Sequence, residues 1–145
     1  MRVVAFVAGA MLLLYSFAHA DWYSAKTHGV FPYWQTGGVW LTIMVFVNCS
    51  DETSDTVYVR MLDSGGGGPG GFPLPPTVVE IAPGEMRVFS TSPSVPLWIP
   101  VMSGYGYTLF AIEHGSPVAA FSACVSLSPE GPGYVVPAYN LDEGF

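Results

Sequence analysis

Val39-Trp40-Leu41-Thr42-Ile43-Met44-Val45-Phe46-Val47-Asn48-Cys49 is the stretch on which the fold turns. Its β-branched and aromatic residues mark a strand. Side chains alternate across a strand, so one row is Val39, Leu41, Ile43, Val45, Val47 and Cys49, and the other is Trp40, Thr42, Met44, Phe46 and Asn48. Both rows are largely apolar, so both faces of this strand need cover. If Cys49 points inward, the aliphatic row is core and Trp40, Met44 and Phe46 lie outside. Either the aromatic-rich segment 21–35 or a long loop of the same molecule, or else another chain, would then cover them.

Working outward, the same pattern recurs at Thr56–Leu62, Thr77–Ile81, Met86–Thr91, Tyr107–Glu113, Val118–Ser126 and Tyr134–Tyr139, with no amphipathic helical period after residue 20. About seven short strands with turn residues between them predict an all-β fold, an antiparallel two-sheet β-sandwich. Ala82-Pro83-Gly84-Glu85 and His114-Gly115-Ser116-Pro117 combine proline and glycine as tight turns require, and predict two hairpins of antiparallel neighbours. Ser64–Gly71, with six glycines and a proline, reads as a connection; no Lys-Ser/Thr follows it and no helix opens there, so it is no phosphate loop.

The chain begins with a positive residue, Arg2, an apolar run from Val3 to Leu14 and a small-residue site at Ala18-His19-Ala20. This is the pattern of a cleaved export signal over residues 1–20, and the apolar run is shorter than the roughly 20 residues of a membrane span. The domain reading is therefore a signal at 1–20, an aromatic-rich extension at 21–38 and a sandwich at 39–145. No membrane span is expected in the mature chain, and the expected location is extracellular, cell-surface or periplasmic.

Formal net charge is −7, with four Lys and Arg against eleven Asp and Glu. Loss of Arg2 with the signal makes it one unit more negative. Scattered cations on an acidic chain exclude nucleic acid and anionic lipid as expected partners. Export makes a Cys49–Cys124 disulfide the expectation, worth about 4 kcal/mol for a loop of this length, with two buried free thiols as the alternative.

The mature chain supplies few reactive groups. His28 and His114 read as solvated residues, and the Gly-x-Ser-x-Gly elbow of a serine hydrolase is absent. Asp51, Glu52 and Asp55 offer calcium-type oxygen ligands but lie in a hydroxyl-rich turn, and Asn48-Cys49-Ser50 formally fits a glycosylation sequon. No catalytic residue, cofactor or metal site is expected. The candidates for function are surfaces: Trp40, Met44 and Phe46, joined by Trp34 and Trp98. Sugar stacking on Trp22, Trp34, Trp98, Tyr105 and Tyr107 is the rival to a protein partner, which would be another copy of the chain or a different surface protein.

Phe31-Pro32-Tyr33-Trp34, Gly37-Gly38-Val39-Trp40-Leu41-Thr42, Val45-Phe46-Val47-Asn48, Ile81-Ala82-Pro83-Gly84-Glu85 and Val136-Pro137-Ala138 together resemble a module of secreted bacterial proteins. The resemblance implies an immunoglobulin-like or fibronectin-like sandwich at the cell surface, without an assigned activity. The chain departs from a true immunoglobulin domain, because Arg60-Met61-Leu62-Asp63-Ser64 stand where a tryptophan should follow the first cysteine.

Overall fold

The computed structural model describes residues 24–69, 75–95, 97–100, 103–129, 131 and 133–142; the proposed signal, its cleavage site, Trp22 and Tyr23 lie outside them. The described residues form ten strands: β1 Thr27–Thr36, β2 Trp40–Asn48, β3 Asp55–Asp63, β4 Thr77–Ile81, β5 Met86–Ser90, β6 Leu97–Trp98, β7 Gly104–Ile112, β8 Val118–Ser126, β9 Tyr134–Pro137 and β10 Tyr139–Asn140. They pack as two five-stranded sheets, ordered β10-β1-β7-β3-β4 and β6-β5-β2-β8-β9. All pairings are antiparallel except the two-residue β5–β6 contact. The two-sheet reading holds, with ten strands in place of about seven.

The segment expected as an extension is an internal strand. β1 lies between β7 and β10, and its Phe31 and Trp34 are wholly buried. A bulge between Phe31 and Trp34 explains why periodicity missed it. The extra residue resets the alternation, so two residues three apart both face the core, and exposed Pro32, which has no N–H to donate, occupies the irregularity. The Trp34 indole N–H donates to the carbonyls of Leu62 and Tyr107, at 2.8 and 3.1 Å, satisfying its polar atom inside the sandwich.

Both expected hairpins are corrected. The Ala82–Glu85 turn forms as its sequence requires, with Glu85 N–H on the Ala82 carbonyl, Ala82 N–H on the Glu85 carboxylate and Gly84 at φ 67°. Yet β4 pairs with β3 in one sheet while β5 pairs with β2 in the other. His114–Pro117 likewise carries the chain from β7 to β8 across the sandwich. Turn chemistry dictates that the chain reverses; which edge each flanking strand joins depends on the faces it must bury.

The core inverts the expected orientation of β2. Thr42, Met44, Phe46 and Asn48 are completely buried, whereas Leu41, Ile43 and Val47 are half-buried on the outer side. Phe46 is the centre of the packing: its ring lies 5.7, 5.5 and 5.3 Å from those of Phe31, Phe89 and Phe110. Two sheets about 10 Å apart must be bridged by long side chains, and Phe46 and Met44 reach further than valine or isoleucine. The polar members of the inner row are satisfied. Asn48 donates to the carbonyls of Thr53 and Ile81 and accepts from Ser50 N–H, while Thr42 donates to Gln35 O. With its amide so engaged, Asn48 is not presented as a glycan acceptor in the folded chain.

The disulfide expectation fails with the same inversion. Cys124 is buried opposite Thr42, whereas Cys49 is exposed beyond Asn48, which pairs with Val118; both are free thiols. Seven residues of strand separate Thr42 from Cys49, about 24 Å at 3.4 Å per residue. A disulfide needs Cα atoms within about 7 Å. A thiol-specific colorimetric reagent should therefore titrate one cysteine in the native, unreduced protein and two after denaturation; no titratable thiol in either state would restore the bridge.

Candidate functional site

Because residues directly opposite one another share a face, the register defines the outer surface of the β6-β5-β2-β8-β9 sheet row by row. Val47, Val45 and Ile43 of β2 stand opposite Met86, Val88 and Ser90 of β5 on one side. On the other side Val47, Val45, Ile43 and Leu41 oppose Ala119, Phe121, Ala123 and Val125 of β8. β9 continues the surface with Val135 beside Ala123 and Pro137 beside Phe121, and β6 ends it with Trp98 beside Ser90. No charged residue lies on these rows. Their one hydroxyl, Ser90, is buried and accepts from the Ser92 N–H.

This surface is open in the described chain. Val135 is 68% exposed, Met86 59%, Trp98 46% and Phe121 44%. Val45, at the centre, is sealed by its neighbours at 7%. Exposed Cys49 prolongs the β2 row at the edge. The outer face of the other sheet has the ordinary wet composition, with Arg60, Glu80 and His28 among its residues, and the first described segment lies on it through Ala25, which packs on Tyr58 and Ala111.

The five expected surface residues therefore separate. Trp34, Met44 and Phe46 are core, buried by their own chain; Trp40 is half-buried at the open end of the inner row, its ring 6.0 Å from that of Tyr134; Trp98 alone is prominently exposed. The strand is apolar on both sides as expected, but the row left outside is the aliphatic one. One signal for this lay in Val118–Ser126, where Ser122 and Cys124 alternate against a wholly apolar Ala119, Phe121, Ala123 and Val125.

The aromatic residues proposed for sugar stacking are dispersed. Trp34 is buried, while Tyr105 and Tyr107 project from the β10-β1-β7-β3-β4 sheet, on the side of the molecule away from Trp98. Trp98 does share a cleft of about 320 Å³ with Trp40, Thr36, Thr91 and Leu127. Its hydroxyls are committed within the chain: Thr36 donates to the Trp40 carbonyl, and Thr91 accepts from the Thr42 N–H.

At one end of the sandwich, Asp55 ties the start of β3 to the β7–β8 connection. Its side chain is wholly buried and accepts the backbone N–H groups of Thr56, His114 and Ser116 at 2.7, 2.9 and 2.8 Å. Burial alone would raise its pKa, but these donors outweigh it and hold the carboxyl below its ordinary value. The His114 ring lies 3.3 Å away, an arrangement that superficially suggests a catalytic pair. Ser116 donates its N–H to Asp55, and its hydroxyl meets that of Thr53 rather than the imidazole, so the group works as a loop clamp. With both Asp55 oxygens turned to N–H donors, Asp51 and Glu52 stay exposed apart from it, and among the described residues no three His, Cys, Asp or Glu converge as metal ligands. His28 Nδ1 lies 3.0 Å from an Asp142 carboxylate oxygen and the His28 carbonyl accepts the Leu141 N–H, which together tie the β10 end to β1. Among the described residues no helix is long and apolar enough to cross a membrane.

No protein-family model, curated protein or solved structure matches this chain.

Proposed function

We propose that this is a secreted, non-catalytic structural or adhesive protein that acts by docking the outer face of the β6-β5-β2-β8-β9 sheet against another protein surface. The observation that carries the reading is the unbroken apolar surface defined by the register of four strands, interrupted by no charge. Faces of this size and composition on a chain rich in acidic residues are covered or used. The leader pattern at residues 1–20 supports export, to the cell surface, the periplasm or the medium. The immunoglobulin-like reading is supported by the inner strands: β2 beside β5 matches strands B and E of that fold, and β4-β3-β7 matches C′, C and F, with β1 and β8 taking each other's expected edges. A protein surface is preferred to a sugar as ligand because the aromatic side chains point to opposite sides of the molecule.

The test compares the protein with a Met86→Glu/Phe121→Glu/Val135→Glu variant in dilute solution, using a fluorescent dye that binds apolar surface. The protein should bind several-fold more dye than the variant, with little change in melting temperature, because all three side chains are exposed. An equal dye response from the two would sink the reading.

A further inference from the structure

We propose that the occupant of this face is a second copy of the same chain, packed sheet against sheet about a two-fold axis. The inference rests on the reading of the face as a protein-binding surface and adds the identity of the partner.

Charge is the first argument. The chain carries a formal net charge of −7, so two copies repel wherever their carboxylates approach. The outer rows of β5, β2, β8 and β9 hold no charged residue, whereas the opposite sheet's outer face presents Glu80, Arg60 and His28. Contact through the uncharged face turns the charged sheet faces of both copies outward. The same acidity disfavours an anionic lipid surface.

Area is the second. Four strands spaced about 4.8 Å apart and averaging about seven residues, from four in β9 to nine in β2 and β8, cover roughly 450 Å² in projection at about 3.4 Å per residue. Side-chain relief, the Trp98 corner and the flanking Val39 and Leu127, both exposed, enlarge the accessible surface toward the roughly 800 Å² per partner of a stable interface. Composition agrees, since homodimer interfaces are more apolar than transient ones and their centres are depleted of charge. Sheets pack face to face about 10 Å apart with strands inclined by about 30°, a geometry that a gently twisted antiparallel sheet forms with its own copy.

The described chain starts at Ser24 and Ala25, and Ala25 is packed on Tyr58 and Ala111, on the outer face of the other sheet. Ala25 thus lies on the side away from the apolar face, and the described chain leaves that face uncovered for a second molecule.

The experiment is sedimentation or light scattering over a wide concentration range, on the purified processed protein under reducing conditions, so that exposed Cys49 cannot link copies. A dimer is expected, with the dissociation constant rising roughly 100-fold or more in the Phe121→Glu/Val135→Glu variant, since each copy then brings two buried charges to the contact. Val78→Glu, at an exposed position on the other sheet, should leave the constant unchanged. Retained melting temperatures exclude simple misfolding. Association that resists the face substitutions, or that Val78→Glu abolishes, overturns the proposal. A monomer that still binds apolar dye through this face overturns the second copy and leaves the binding surface standing, and flotation of that monomer with phosphatidylcholine vesicles would identify a lipid occupant instead. A monomer without face-dependent dye binding overturns both.

Discussion

Replacing Phe46 by alanine should destabilise the protein by about 4 kcal/mol, while replacing its neighbour Val47 should cost about 1 kcal/mol or less. The two residues are adjacent on β2, yet Phe46 is completely buried among Phe31, Phe89 and Phe110, and Val47 lies half-buried on the outer face. Truncating the phenylalanine removes its transfer free energy, three edge-on ring contacts and the volume that bridges the sheets; a cavity between two hydrogen-bonded sheets closes poorly. Urea denaturation of both variants, read at constant slope, measures the difference. The order reverses if the aliphatic row is the inner one, so equal or inverted costs would overturn the assignment of faces. In the sheet-to-sheet pair proposed above, Val47→Ala should instead weaken the contact.

The same strand shows what the sequence does and does not disclose. Six of the seven segments rich in Val, Ile, Thr, Tyr and Phe are single strands close to where the pattern predicts them, because local composition and turn residues act over a few residues; the seventh, Tyr134–Tyr139, divides at Ala138 into β9 and β10, which join opposite sheets. The two-sheet architecture follows from their number. Which face of β2 is inward is not a local property. Hydropathy ranks Leu41, Ile43, Val45 and Val47 above a row containing Thr42 and Asn48, but the core selects side-chain reach, and the two polar residues are admitted because carbonyls of β1, β4 and the β2–β3 connection satisfy them. The error passes to the cysteines: once the rows are exchanged, Cys49 leaves the core and Cys124 remains in it.

Pairing partners are equally non-local. Pro83 and Gly84 make their turn in either topology, and only the long-range register of β3 and β2 decides that β4 and β5 part company. β1 escapes detection because its bulge hides the alternation, and β6 because two residues carry no period. The candidate site was legible as an idea, a strand apolar on both sides, and not as a set of residues. Its outer surface is assembled from β5, β8 and β9, whose rows become one patch only when the sheet order is known. The loop clamp at Asp55 was invisible for a related reason: Thr56 is adjacent in sequence, but His114 and Ser116 come from the far end of β7.

Asp55→Ala should lower stability by about 4 kcal/mol at neutral pH, because removing a buried carboxylate strands several backbone N–H groups at once and each unsatisfied donor costs about 1–3 kcal/mol. The Thr56, His114 and Ser116 N–H groups belong to the ends of the β2–β3 and β7–β8 connections, so the loss loosens both sheet crossings together. Asp55→Asn keeps an acceptor but points an NH2 group at donors, and should recover only part of the loss. The pH dependence has a fixed sign. Asp55 has its pKa depressed in the folded chain, so it binds its proton more readily when unfolded. Its stabilising contribution is fully present above the unfolded value, near 4, and declines as pH falls below that value through the folded one. Asp142, also depressed, by the His28 N–H and ring against a burial effect that would raise it, adds in the same direction from an exposed site and should add little. Urea titrations at a series of pH values from 7 to 2 should therefore show a steep acid loss in the parent protein and a shallower one in Asp55→Asn; parallel curves would mean that the carboxylate charge contributes nothing to the clamp.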